Sequence, residues 1–360
     1  MKINWVLPEL SKSGGVSVAL HYANILSDRG HDVVCYVPKS GFHYGWKKVF
    51  FFKDVLKFHS NQELQGKWFD NNFNFEFPLW INKRSVRYAD ITIATSWITS
   101  YWVNELNTEK KAYFIQDFET WGNSKINKAV LNSYKLPFDE FISVSSALHN
   151  RILKTVGTDT KIVCNGVEEI FLTDLPRVEH LDSNTVIGMP YRENRGNDMK
   201  NCALGIRVLL KIKEKCPTIK LMTYGFKKPQ NWNNEIEFLE NPTRQELLNF
   251  YNKTDIFYVP SKYEGWGLPA MEAMAQKNVV LAGKSGVIQE VGINGENCII
   301  LDDPTDETEA IKKISDLIKN QNKRKIIGSN ARKIISGMTV QSSAIKFENI
   351  LYDLFENNTH

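Results

Sequence analysis

Short apolar runs alternate with longer segments of helical period, and the alternation passes through the chain twice. A strand buried on both faces reads as a continuous apolar run, and it needs a covering helix before the next parallel strand. The first series opens with "KINWVLP", passes through "SKSGGVS", read as a turn, and continues in "SVALHYANILSDRGH". There Val18, Ala19, Tyr22, Ile25 and Leu26 recur at helical spacing, Gly30 ends the helix, and "DVVCYVP" follows as a buried strand. This is a βαβ opening, and it calls for a parallel sheet. Further strands are expected at "DITIATS" (90–96), "KAYFIQD" (111–117), "EFISVSS" (140–146) and "TKIVCNG" (160–166).

The second series starts at "TVIGMP" (185–190). It runs through the helix "CALGIRVLLKIKEK", the strands "IKLMTYG" and "IEFLEN", and the helix "TRQELLNFYNK", where Thr243 and Glu246 form a capping box. "DIFYVP", "NVVLAG" and "NCIILDD" complete the sheet, and a last helix presents Ile345, Ile350, Leu351 and Leu354 along one face. With 360 residues the chain exceeds one ordinary core. Two doubly wound domains are expected, 1–165 and 166–339, with the helix at 340–360 returning to the first. The hinge is placed between Asn165 and about Asp182, a polar, irregular stretch.

Composition narrows the classes. An apolar share of 42% with 24% charged residues is that of a globular chain, and no apolar run reaches membrane-spanning length. A net charge of +4 leans toward anionic partners without supporting nucleic-acid binding. Cys35, Cys164, Cys202, Cys216 and Cys298 are scattered and form no C-x-x-C, so they read as reduced packing thiols. "MKINWVLPEL" lacks a signal peptide's apolar stretch, and a cytoplasmic protein is expected.

The densest motif is "YEGWGLPAMEAMA" (263–275), with Glu264 before a bend of two glycines and a proline and Glu272 beyond it. The bend would follow the carboxyl end of a strand, where open parallel sheets bind ligands. Gly265 and Gly267 let the backbone approach a ligand, and the amides around Leu268 to Met271 are expected to form an anion site. Glu272, expected in the first turn of the following helix, would be repelled by phosphate at about 4 Å by roughly 4 kcal/mol. It therefore suits a neutral diol such as a ribose, whereas Glu264 is placed to take sugar hydroxyls. The plainer alternative is a helix start decorated with favourable acids.

These residues resemble the E-x7-E element of the GT-B-fold glycosyltransferases, especially the large retaining family 4. "SGG" (13–15), "FISVSS", "NGVEEIF" (165–171) and "GKSGVIQEVGINGENCIIL" (283–301) are similar to that family's other segments in the expected order. "YFIQDFE" (113–119) also resembles a segment of bacterial rhamnosyltransferases of cell-surface glycans. The resemblance implies an α/β architecture of two facing Rossmann-like domains with an interdomain cleft, the first receiving the acceptor and the second the nucleotide sugar.

It further implies a basic pair after the first strand of the second domain, holding the donor diphosphate. "GMPYRENRGNDMKN" departs from the family's usual G-R…K-G. Arg192 and Lys200 are the first choices, with Arg195 the rival for the arginine. Each charge-assisted hydrogen bond adds roughly 1.5–3 kcal/mol, more than a helix end alone supplies. Gly265, Trp266, Gly267, Leu268 and Glu272 are assigned to the nucleotide, together with Gly14 and Gly15. "SGG" is not G-x-G-x-x-G, and the following "YVPKSG" offers no acid for the ribose of a dinucleotide, which argues against a dehydrogenase. Where family members carry a histidine this chain has Gln116 and Asp117. Asp117 is read as a sugar or acceptor contact, and Glu119 as turned away from the cleft.

No strict D-x-D occurs and no histidine cluster has metal spacing, so neither metal nor cofactor is expected. "YGWKKVFFFKDVLKFHS" (44–60) reads as a buried strand flanked by lysines, or as a contact with the inner membrane surface near a lipid-linked acceptor. The expected activity is retaining transfer of rhamnose from a thymidine diphosphate donor, or of a hexose from a uridine diphosphate donor, to a glycan hydroxyl. Arg192, Lys200, Glu264 and Asp117 would carry it. The alternatives are a sugar-nucleotide epimerase of the same architecture and a non-catalytic partner subunit.

Overall fold

The computed structural model describes residues 1–39, 69–120, 124–176, 184–193 and 198–356. The stretch at 44–60, Arg195, part of the expected hinge and residues 357–360 lie outside these ranges. The chain divides into two compact units, Met1–Asn165 with Val340–His360, and Gly166–Thr339.

The first unit carries a sheet ordered β3-β2-β1-β4-β5-β6-β7, every pairing parallel. Its strands are β1 (Lys2–Val6), β2 (Asp32–Tyr36), β3 (Asn74–Glu76), β4 (Ile91–Ala94), β5 (Lys110–Ile115), β6 (Glu140–Ser143) and β7 (Lys161–Ile162). Ile3 faces Ile91 and Trp5 faces Ile93 in register, and all four are fully buried. The strand expected over 160–166 shrinks to two exposed residues because β7 pairs only with β6, at the sheet's edge. The expected turn at "SKSGGVS" is also shorter. Gly14 and Gly15 are the first residues of helix α1 (Gly14–Asp28), and Ser13 is its N-cap, accepting from the Val16 amide.

Among the described residues this unit has four more helices: α2 (Trp97–Asn104), α3 (Ser124–Ser133), α4 (Ser146–Val156) and the C-terminal helix (Val340–Glu356). The last packs on α1 and the sheet through Phe347, whose ring stacks on Trp5 at 5.5 Å and lies 5.0 Å from Phe114. Its buried face differs from the expected one. Leu351 and Leu354 are inside, but Ile345 and Ile350 are half-exposed and Phe347 and Glu348 take their place. Glu348 tolerates burial because His31 meets it at 2.8 Å and Arg29 donates to it at 2.6 Å.

The second unit carries a sheet ordered β10-β9-β8-β11-β12-β13, again entirely parallel. Its strands are β8 (Val186–Pro190), β9 (Lys220–Gly225), β10 (Ile236–Glu240), β11 (Ile256–Val259), β12 (Val279–Gly283) and β13 (Ile299–Leu301). Helices α5 (Cys202–Lys215), α6 (Arg244–Lys253), α7 (Leu268–Ala275), α8 (Val287–Val291), α9 (Glu307–Ile318) and α10 (Gln321–Ile335) complete it. Ile187, Met189, Val208, Leu209, Tyr258 and Leu281 belong to its core. The expected capping box is present: Glu246 donates its amide to the Thr243 hydroxyl at 3.2 Å and its carboxylate accepts from the Thr243 amide at 2.8 Å. In both sheets the strand order reverses beside the first strand, between β1 and β4 and between β8 and β11. Each reversal opens a crevice beyond the carboxyl ends of the strands.

Candidate functional site

The crevice of the second unit gathers most of the residues singled out from sequence. The chain leaves β8 at Pro190 and β11 at Val259, and the two exits are tied together where the Lys262 amide donates to the Met199 carbonyl at 2.9 Å. This brings Lys200 to Glu264: Nζ donates to Oε2 at 2.6 Å. Glu264 is therefore paired, not free as its position in the bend suggested. Its own amide donates to the Ser285 hydroxyl at 3.1 Å. Beside it lies a small cleft of about 10 Å³, lined by Ser261, Glu264, Trp266, Gly267, Ala270 and Ser285 among others.

The bend depends on glycine at two points. Gly267 has φ +87°, the left-handed region that side chains resist. Gly286 has φ +55°, and a Cβ there would stand 2.1 Å from the Trp266 carbonyl oxygen, which instead accepts from the Val287 amide at 2.6 Å. Trp266, expected to face the nucleotide, is buried with its indole N–H on Met271 Sδ at 3.3 Å, so its side chain holds the bend and not a ligand.

The anion site expected from the amides of Leu268 to Met271 is smaller than its sequence implies. The amides of Ala270 and Met271 both close on the Gly267 carbonyl, at 3.0 and 3.2 Å, and Pro269 has no N–H. Of the helix's first four residues, that leaves the Leu268 amide as the remaining candidate donor.

Glu272 lies one turn deeper than expected, in the second turn of α7, and is only 5% exposed. The Tyr251 hydroxyl donates to its Oε2 at 2.7 Å, and Tyr251 in turn meets the Tyr224 hydroxyl at 2.7 Å. Arg244, at the start of α6, lies 3.6 Å from Oε1 and makes a 2.6 Å ion pair with Glu168. Burial pushes the Glu272 carboxyl up to about 7, against the pull of Arg244 and the Tyr251 hydrogen bond and with help from Glu168. Arg244, Glu168, Tyr251 and Tyr224 were not singled out from sequence. No local pattern marks them, since they come from one helix, a strand end and a loop. The helical spacing of Tyr251 from the apolar Leu247 and Leu248 is the sign in the sequence that Tyr251 points inward.

Arg192 follows β8 and is exposed; its amide donates to Cys202 Sγ at 3.4 Å. Arg195 lies outside the described residues. In the first unit, Gly14 and Gly15 start α1, and the Gln116 side-chain amide donates to the Gly15 carbonyl at 2.7 Å. Asp117 is half-buried and accepts from the Phe118 amide at 2.7 Å. Glu119 is engaged within the first unit: its carboxylate accepts from the Trp97 amide at 2.8 Å, at the start of α2. Burial raises its carboxyl to about 8, opposed by that hydrogen bond and assisted by the charge of Asp117. Among the described residues no group of three or more histidine, cysteine or acidic side chains could hold a metal ion. No helix among them is long and apolar enough to cross a membrane.

The family Glycosyl transferases group 1 matches residues 194–334, less than half of the chain. An uncharacterized glycosyltransferase of Methanocaldococcus jannaschii, MJ1178, is 35% identical over 100 residues, 27% of this chain and 28% of that protein. The capsular polysaccharide biosynthesis glycosyltransferase CapM of Staphylococcus aureus is 26% identical over 241 residues, 60% of this chain and 62% of CapM. The chain thus spans less than two thirds of either relative. The crystal structure of Anabaena Alr3699/HepE in complex with UDP and glucose is similar with a TM-score of 0.73 at 16% identity, covering 98% of this chain and 99% of HepE, a likeness of fold. Lys200, Glu264 and Glu272 all fall inside the segment that matches the group 1 glycosyl transferases, in a chain whose two parallel-sheet units have the GT-B fold.

Proposed function

We propose that this chain transfers a sugar from a nucleoside diphosphate to a hydroxyl of a surface glycan or polysaccharide, with retention of configuration. The observation that carries this reading is the meeting of Lys200 and Glu264 beside a small cleft, on the bend whose helix carries Glu272. A diphosphate entering there would find the Lys200 ammonium and the Leu268 amide, and Arg192 stands at the exit of β8 to add a second cation. Glu264 would exchange part of its bond to Lys200 for a sugar hydroxyl, and Glu272 would accept from a ribose. In the first unit Asp117 is assigned to the acceptor or sugar.

In the reaction, the acceptor oxygen forms a bond to the anomeric carbon while that carbon's bond to the phosphate oxygen breaks. The acceptor proton passes to the departing phosphate oxygen on the same face, so configuration is kept and no nucleophile of the protein is consumed. The chain's contribution is electrostatic: cations and amides fixed where negative charge grows on the leaving diphosphate. UDP in the structurally similar HepE and capsule synthesis by CapM support a uridine diphosphate donor and a bacterial glycan acceptor. A thymidine diphosphate donor of rhamnose is the second choice. A lipid-linked acceptor met at the inner membrane surface fits the aromatic and basic composition of 44–60.

The test is donor turnover by the isolated chain across a panel of nucleotide sugars, with products separated by chromatography. Nucleoside diphosphate release with transfer to glycan supports the reading. Epimerised nucleotide sugar, or no turnover with any donor and acceptor, would refute it. Arg192→Ala should lower turnover at saturating donor, and an effect confined to acceptor affinity would remove Arg192 from the leaving group.

A further inference from the structure

Glu272 is held by groups that the transfer reaction does not require. Tyr251, fully buried, fixes Oε2, and Tyr224 fixes the Tyr251 hydroxyl from the far side. Oε1 faces Arg244 across 3.6 Å, too long for a strong hydrogen bond and close enough for strong attraction. Arg244 cannot drift away, because Glu168 grips its other nitrogen at 2.6 Å and its guanidinium lies over the Phe171 ring at 5.9 Å. One carboxylate oxygen is therefore committed to the protein while the other retains acceptor capacity.

We infer that Arg244 and Tyr251 are positioning residues that keep the buried Glu272 carboxylate ionised with Oε1 available to a ribose hydroxyl, so that nucleotide affinity weakens as this carboxylate takes up a proton. The inference deepens the donor-site reading above and rests on it. Among the described residues the groups acting on Glu272 are Arg244 and Tyr251 from α6, Glu168 from the segment between β7 and β8, and Tyr224 from β9 through Tyr251. Their signs differ. Arg244 and the Tyr251 hydrogen bond favour the charged form, whereas Glu168 and burial oppose it. With the carboxyl raised to about 7, protonation falls inside the neutral range. Once protonated, the carboxyl can offer its proton but has lost the negative charge that strengthens hydroxyl donation to it.

Two measurements separate this inference from the reading beneath it. The first uses the free protein: carbon-13 NMR of labelled glutamate, with the Glu272 signal assigned by its loss in Glu272→Gln. Its midpoint, near 7 in the native chain, should rise by about one pH unit in Arg244→Gln and in Tyr251→Phe. It should fall in Glu168→Gln. Purely structural damage would not move the midpoint in opposite directions, and melting curves would check that each variant is folded.

The second measurement is calorimetric titration with uridine diphosphate and 2′-deoxyuridine diphosphate from pH 5 to pH 9. Affinity for uridine diphosphate should fall about tenfold per pH unit below the midpoint, and the onset should move with the NMR midpoint in each variant. The deoxy compound should show a shallower fall. An unmoved midpoint in Arg244→Gln and Tyr251→Phe overturns the positioning role. A moved midpoint with pH-independent uridine diphosphate affinity overturns the link to the ribose. Absence of nucleotide binding at every pH is instead a failure of the donor-site reading, with the positioning role still decided by the NMR result.

Discussion

Replacing Glu272 by glutamine should make the protein more stable at neutral and alkaline pH while weakening its hold on nucleotide. The carboxyl is 5% exposed, and burial lifts it from 4.5 to about 7. Below pH 4.5 the group is protonated in both folded and unfolded chains and contributes nothing that depends on pH. Between 4.5 and about 7 the native state holds a proton that the unfolded chain has released, so unfolding releases it and stability falls as pH rises. Above 7 the native state carries a charge that burial disfavours. The full loss corresponds to about 3 kcal/mol.

Glutamine keeps the shape without the charge, and Arg244 keeps its ion pair with Glu168. The variant should therefore melt close to the native chain near pH 4 and roughly 6–12 °C above it at pH 8. Differential scanning calorimetry of both proteins across this range reads the difference directly. A gap between the two melting temperatures that does not widen with pH would falsify the argument, because a packing effect has no pH dependence. A site that sacrifices stability to keep a buried charge is what a binding role for Glu272 would require.

Three further outcomes concern the scaffold. Gly286→Ala sets a Cβ 2.1 Å from the Trp266 carbonyl oxygen at a positive φ, so it should destabilise by at least about 2 kcal/mol and widen the bend, read by urea unfolding and by loss of nucleotide affinity. Phe347→Ala removes a fully buried ring packed against Trp5, Tyr22 and Phe114, and should cost about 3–5 kcal/mol in chemical denaturation. Thr243→Ala breaks the capping box of α6 and should cost about 1 kcal/mol; since Arg244 is the next residue, the loss of uridine diphosphate affinity at pH 6 should exceed that at pH 8.

Much of the fold was legible because it is written in local patterns. Apolar runs marked the strands of both sheets except β3, whose Asn74–Glu76 carries no such run, and the Thr243–Glu246 spacing marked the start of α6. Helix ends were read less well where two signals compete. Gly14 and Gly15 suggest a loop by composition, but Ser13 caps the helix and draws both into its first turn. The buried face of the C-terminal helix was misjudged because counting aliphatic residues overlooks an aromatic ring and an acid that can be neutralised by partners far along the chain.

The candidate site divides along the same line. The sequence alone located the bend at 263–275, its two acids, its glycines and a basic residue at 200, since each is a residue type whose backbone or charge has local meaning. Only tertiary structure decided what those groups do to one another. It paired Lys200 with Glu264, turned Trp266 into packing, closed two of the expected amides on Gly267, and surrounded Glu272 with Tyr251, Arg244 and Glu168. The reason is distance: charge interactions and hydrogen bonds act over a few ångströms, and the partners that set a carboxylate's proton and direction are separated by tens of residues along the chain.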